Sequence, residues 1–155
     1  MLNIVSEKDF SRVASDEQIE RTAQVLEANG IHTLIAQNGD EARKLFFELV
    51  PAGAQIHQAS STTLDAIGIT SEIETSGRFD AIRPKTRSMD RATQGNEIRK
   101  LGSSPDYMTG SVAAVTEDGH LIVASASGSQ LGPYVYGAGK VVLVVGAQKI
   151  VKDLS

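Results

Sequence analysis

Cysteine and tryptophan are both absent from this chain of 155 residues. Without a thiol, its own residues cannot build a disulfide, a thiolate-bound zinc site, an iron-sulfur ligand set or a cysteine nucleophile. Long apolar runs are absent too. The longest, residues 141–145, is far short of the roughly 18–20 residues a membrane-spanning helix needs, so no membrane role is expected. The start, Met1-Leu2-Asn3-Ile4-Val5-Ser6-Glu7, has neither the basic opening nor the apolar core of a secretory signal. With no cysteine pattern pointing to an oxidising compartment, the expected location is cytoplasmic. Basic charge is sparse: 15 Lys and Arg against 19 Asp and Glu leave a net charge of −4, which argues against a nucleic-acid-binding surface.

What is present fits one soluble globular domain, with 41% hydrophobic and 22% charged residues. Ser15-Asp16-Glu17-Gln18 has the form of a capping box, predicting a helix that carries Ile19, Ala23 and Leu26 and ends at Asn29-Gly30. Residues 31–36 then read as a short strand. Ala42, Leu45, Phe46, Leu49 and Val50 make one apolar stripe of a second helix, which Pro51-Ala52-Gly53 terminates. Residues 54–59 read as a second strand, and Ser60-Ser61-Thr62-Thr63 as the start of a third helix bearing Leu64 and Ile67. The middle of the chain has few apolar residues and no firm period; a helix is expected over residues 90–101. Beyond it, Val112 to Val115 and Leu121 to Ala124 flank Asp118-Gly119, a dipeptide suited to a tight hairpin, and both flanks read as buried. A serine-rich loop then leads into a short helix ending near Gly137. The continuous apolar run at 141–145 suits the centre of a parallel sheet covered on both faces. The alternation predicts an α/β fold, a mainly parallel sheet flanked by helices.

Four groups of residues invite chemistry. Ser60, Ser61, Thr62 and Thr63 put hydroxyls and free amides at a strand end where a helix begins, an arrangement that can hold phosphate or carboxylate; the same residue types are also good helix caps. Ser125, Ser127, Gly128 and Ser129 repeat the pattern. Neither loop has the lysine of a P-loop or the glycine spacing of a dinucleotide fold. Arg83, Lys85, Arg87 and Arg91 form the dense basic cluster of the chain, which can draw an anionic ligand or an acidic partner or simply be a solvated loop. Phe79 alone beside them is no stacking platform for single-stranded nucleic acid. Glu117 with Asp118 at the hairpin offers carboxylates for base or nucleophile work, although Asp118 and Gly119 are explained by the turn itself. His32, His57 and His120 lack metal-ligand spacing, so no metal site is expected; His57, inside a strand, reads best as a buried hydrogen-bonded histidine. No GxSxG elbow exists to support a hydrolase triad.

Four segments together resemble the LUD domain of the lactate-utilisation family, of the type of its cluster-free LutC/YkgG-like subunits. They are Gln58-Ala59-Ser60-Ser61-Thr62-Thr63-Leu64, the stretch running from Ser104-Pro105-Asp106-Tyr107 through Gly110 to Glu117-Asp118-Gly119, Ile122-Val123-Ala124-Ser125-Ala126-Ser127-Gly128-Ser129-Gln130, and Val144-Val145-Gly146-Ala147-Gln148-Lys149-Ile150-Val151. The resemblance implies a fold like that of ribose-phosphate isomerase, glucosamine-phosphate deaminase and CoA transferases. It implies an accessory or ligand-binding subunit in the oxidation of lactate to pyruvate, working beside iron-sulfur and oxidoreductase subunits, with a small anionic metabolite as ligand and no cofactor of its own. Gly110, Glu117, Gly119, Ser125, Ser127, Gly128 and Ser129 occupy the stretch that borders the ligand site in that superfamily. Glu117-Asp118-Gly119 is similar in form to the catalytic Glu-x-Gly turn of its CoA transferases, which gives an alternative reading: an isomerase or transferase with Glu117 as base or nucleophile. A protein-interaction module docking through the Arg83 to Arg91 cluster is a further alternative. Relatives continue beyond the segment matching residues 149–154 with another helix and further strands, so the expectation is a single domain lacking its C-terminal part, with an exposed edge favouring a homo-oligomer.

Overall fold

A computed structural model describes residues 12–154. In chain order they form α1 (Asp16–Ala28), α2 (Gly39–Leu49), β1 (Gln55–Gln58), α3 (Thr62–Ala66), α4 (Ile69–Thr75), β2 (Asp80–Ala81), α5 (Ile82–Arg87) and α6 (Gly95–Ser103). There follow β3 (Tyr107–Gly110), β4 (Ala114–Thr116), β5 (Leu121–Ile122), a π-helical turn (Pro133–Gly137), β6 (Lys140–Leu143), a 3-10 turn (Ala147–Lys149) and β7 (Ile150–Val151). None of the helices is long and apolar enough to cross a membrane. The described elements divide into two compact units, one made of residues 12–35, 113–122 and 146–154 and the other of 36–112 and 123–145.

The first unit holds α1 and a small sheet in the order β5-β4-β7. The capping box at α1 is as expected: Ser15 Oγ accepts from the Gln18 amide and the Gln18 side chain accepts from the Ser15 amide. The hairpin is also present, β4 pairing antiparallel with β5 about Asp118 and Gly119, with φ of +91° at Gly119. Its flanks are buried unevenly. Val115 is buried, whereas Leu121 and Ile122 are covered only in part. Residues 31–36, expected as a strand, are not one. A short apolar run becomes a strand only beside a partner, and here Ile31, Leu34 and Ile35 are exposed while the Glu27 carboxylate takes the Thr33 amide.

The second unit is a four-stranded, all-parallel sheet in the order β2-β1-β3-β6, flanked by helices. Its core is Phe46 from α2 and Val50 capping its end, Ile56 from β1, Leu64 from α3, Ile69 and Ile73 from α4, with Ala54 and Phe79. Phe47 packs edge-on against Phe46 and stacks on Phe79, and Arg78 lies over both Phe47 and Phe79. Three expectations are corrected here. The helix expected over 90–101 begins at Gly95, because the Asp90 carboxylate accepts from the Ala92 amide and the Thr93 hydroxyl and ties off a turn in its place. The run at 141–145, expected at the centre of the sheet, gives β6, which is an edge strand among the described residues and leaves Val141 exposed. The stretch from Arg83 to Arg87 is helix rather than loop, with Pro84 in the first turn of α5, where its missing N–H costs nothing.

Candidate functional site

In an open parallel sheet, ligands bind outside the carboxyl ends of the strands, at the point where successive connections leave in opposite directions. The second unit has that point between β1 and β3. The chain leaves β1 for β2 on one side and passes from β3 to β6 on the other. The carboxyl end of β1 leads into Ala59 and Ser60, and that of β3 is Gly110 followed by Ser111.

Two groups predicted separately meet here. Arg83, in the first turn of α5, donates from Nη2 to Ser60 Oγ at 2.7 Å. The other cations of the cluster are differently engaged: Lys85 pairs with Asp80, Arg87 with Glu74 at 2.8 Å, and Arg91 is exposed. Among the described residues Arg83 has no carboxylate partner, so a half-buried guanidinium is held at the sheet end by a neutral hydroxyl. Such a group is a ready partner for a carboxylate, which the planar fork binds through two parallel hydrogen bonds.

Ser61 turns inward and caps α3 by accepting from the Leu64 amide at 3.3 Å, so its role is structural. Thr62 is exposed and Thr63 half-buried at the start of the same helix. Gly110 is buried beneath the Tyr134 hydroxyl, which comes from the π-helical turn and donates to the Ser111 carbonyl at 3.5 Å. A Cβ at Gly110 would fall inside the van der Waals envelope of the Tyr134 oxygen and 3.0 Å from Ala59 Cβ. Burial pushes the Tyr134 phenol up to about 12, so it stays protonated, a neutral donor over the end of β3.

The second hydroxyl-rich loop folds on itself. Ser125 Oγ accepts from the Gly128 amide and donates to Gln130 Oε1, both at 2.8 Å, and Ser127 Oγ donates to Ser129 Oγ at 3.1 Å. Gly128 takes a φ of +73°, which the turn requires. Ser127, Gly128 and Ser129 are exposed, and the loop aims the helix that delivers Tyr134.

Glu117 and Gly119 lie in the first unit. The Glu117 carboxylate accepts from Arg21 and from Gln18 Nε2, and these hydrogen bonds, Arg21 foremost, hold its pKa below the usual carboxylate value. General-base work near neutral pH is favoured by a shift in the other direction. Gly119 packs against Val25 and Asn29 of α1. Asp118 accepts from the Thr116 hydroxyl and its Oδ1 lies 3.1 Å from His120 Nδ1, as part of the hairpin.

His57 is the hydrogen-bonded strand histidine that its place predicted, half-buried rather than buried. Its Nδ1 donates to the Gly102 carbonyl at 2.8 Å, and α6 comes so close that a Cβ at Gly102 would lie 2.9 Å from the ring. Burial lowers its pKa below 6.5, the Gly102 hydrogen bond opposes this, and the charge of Arg83 adds to the lowering. A depressed folded-state pKa means the unfolded chain takes up the proton first. Stability from this group is therefore complete above pH 6.5 and lost as the pH falls through the lowered value. Urea midpoints measured from about pH 8 to about pH 5 should fall more steeply for the wild type than for His57→Gln, and parallel curves would remove His57 as the cause.

Two contributors escaped sequence reasoning. One is Tyr134. The other is Gln58, 3% exposed at the end of β1, whose Nε2 donates to Glu74 at 2.6 Å while Oε1 meets no donor among the described residues. A signal for Gln58 existed: it shares the buried parity of β1 with Ile56, a place where an unpaired polar side chain is costly. An open depression of about 490 Å³, lined by Gln55, Met89, Glu97, Lys100, Leu101 and Ser104, lies at the opposite, amino end of β1. Among the described residues no cluster of His, Asp or Glu is arranged to hold a metal ion.

The family model of the LUD domain matches residues 19–155, nearly the whole chain. This chain belongs to the LUD domain family. No curated protein matches it. Within this LUD domain, Ser60 and Gly110 stand on segments that carry the resemblance to the family, whereas their partners Arg83 and Tyr134 lie outside those segments.

Proposed function

We propose that this LUD domain is an accessory subunit of lactate utilisation that binds a small carboxylate metabolite at the carboxyl ends of β1 and β3. The observation that carries the reading is the Arg83 guanidinium, held at that edge by Ser60 and with no carboxylate partner among the described residues. Arg83 takes the ligand's carboxylate, Ser60 adds a hydroxyl, and the Tyr134 phenol remains a neutral donor over the end of the neighbouring strand β3. The chain has no cysteine, so iron-sulfur clusters used in oxidising lactate are brought by partner subunits, in a cytoplasmic assembly.

The test is titration calorimetry of the full chain with L-lactate and pyruvate. Arg83→Gln, which keeps a polar side chain but removes the charge, should weaken binding by about tenfold or more, the worth of a charge-assisted bidentate pair. Lys85→Gln, whose parent pairs with Asp80, should leave binding within about twofold, as befits a cation already taken by an exposed ion pair. Absence of binding at millimolar ligand, or binding indifferent to Arg83→Gln, would refute the proposal.

A further inference from the structure

Gln58 ends β1 two residues before Ser60, on the face of the strand that also carries Ile56. Its amide is fixed from behind: Nε2 donates to Glu74 Oε1 at 2.6 Å, and Glu74 Oε2 accepts from Arg87 at 2.8 Å. Arg87 and Arg83 are one helical turn apart on α5, and Gln58 and Ser60 two residues apart at the end of β1, so the chain Gln58–Glu74–Arg87 and the pair Ser60–Arg83 link the same two elements at successive levels. Because a carboxylate can only accept, the Glu74 contact settles which end of the amide is nitrogen and leaves Oε1 as the free end. That oxygen is sealed from solvent and meets no donor among the described residues. A buried acceptor in this condition is costly unless a donor reaches it.

We propose that Gln58 Oε1 is the acceptor for the hydroxyl of the bound ligand, and that Gln58 thereby selects 2-hydroxy acids over 2-oxo acids. The inference rests on the carboxylate-binding reading of Arg83. When the ligand's carboxylate takes Arg83 beside the Ser60 hydroxyl, its 2-position is directed toward Gln58, two residues back along β1. A 2-hydroxy acid then offers an O–H to the waiting oxygen. A 2-oxo acid presents only a second acceptor, and two acceptors facing each other repel. Sites built around a buried hydrogen-bonding group discriminate strongly against ligands lacking the complementary atom.

Titration calorimetry of the full chain with L-lactate, pyruvate and propionate tests this. Lactate should bind at least about tenfold more tightly than either of the others, a modest return for one buried hydrogen bond. Gln58→Met, similar in length but without the acceptor, should bring the three within about threefold of one another while leaving all of them dependent on Arg83. Equal binding of lactate and pyruvate by the wild-type chain, each lost in Arg83→Gln, overturns the role of Gln58 and leaves the carboxylate site standing. An unchanged lactate preference in Gln58→Met does the same. Failure of all three acids to bind overturns the carboxylate site itself. The wild-type comparison stands without any variant, should Gln58→Met not fold.

Discussion

Gly110→Ala is expected to destabilise the protein by about 3 kcal/mol, at the upper end for forcing one carbon into a closed contact. The new Cβ has no room: the Tyr134 oxygen occupies its position on one side and Ala59 Cβ lies 3.0 Å away on the other. β3 cannot retreat, because Thr109 accepts from the Ala59 amide at 2.8 Å and Gly110 accepts from the Val144 amide at 2.9 Å. The yielding partner is therefore Tyr134, whose ring must swing off the end of β3. Tyr134→Phe removes the obstructing oxygen and leaves the ring carbon that bore it 3.2 Å from the Cβ, tight but tolerable. Alone, Tyr134→Phe loses only a long hydrogen bond to Ser111 and should cost about 0.5 kcal/mol or less. The double variant should recover about 1–2 kcal/mol relative to Gly110→Ala, a coupling readable from denaturation midpoints in a double-mutant cycle. Additive losses would show that Tyr134 is not what confines Gly110.

Local signals in the sequence specify much of this fold, and their limits have physical causes. The capping box at Ser15, the α2 helix and the Asp118-Gly119 turn each depend on residues within a few positions of one another, and each forms as expected, although Leu49 of the expected apolar stripe is exposed. Residues 31–36 and β6 have similar apolar content, yet only β6 is a strand, because β3 lies beside it and, among the described residues, no strand pairs with 31–36. Pairing is a property of the partner, which a local window does not contain. Position within the sheet is equally remote: the apolar run at 141–145 signals burial but not which strand ends at the edge.

The site divides in the same way. Ser60 and Arg83 were each legible as candidates, one from the hydroxyls at a strand end and the other from a basic cluster. Their contact was not, since it depends on β2 pairing with β1 and so returning α5 to the end of that strand. The same basic cluster also contained residues, Lys85 and Arg87, that serve Asp80 and Glu74 instead. Charge density pointed to the segment; the tertiary partners decided which of its cations are taken by carboxylates.

Gly137→Ala should have the larger effect of the two glycine substitutions, about 3 kcal/mol or more, and unlike Gly110→Ala it should resist rescue. Gly137 was recognisable as a helix end, but its main constraint is an approach of backbone to backbone: a Cβ there would overlap the Ser103 carbonyl oxygen and come 3.0 Å from its carbonyl carbon. That carbonyl sits at the end of α6, and no side-chain change removes it. Nor can the chain on the other side slide away. The Gly139 amide donates to Pro105 at 3.0 Å and the Lys140 amide to Asp106 at 2.9 Å, bonds that set β6 against β3. Relieving the overlap therefore strains the β3–β6 pairing from its first residue. Urea denaturation should show the loss of stability, and amide exchange should accelerate first along β6, where the displaced turn feeds into the sheet. Adding Ser103→Gly should leave the deficit in place, because the obstructing atom is main chain. Recovery in that double variant, or a wild-type midpoint for Gly137→Ala, would mean that the turn and α6 are not in contact through their backbones.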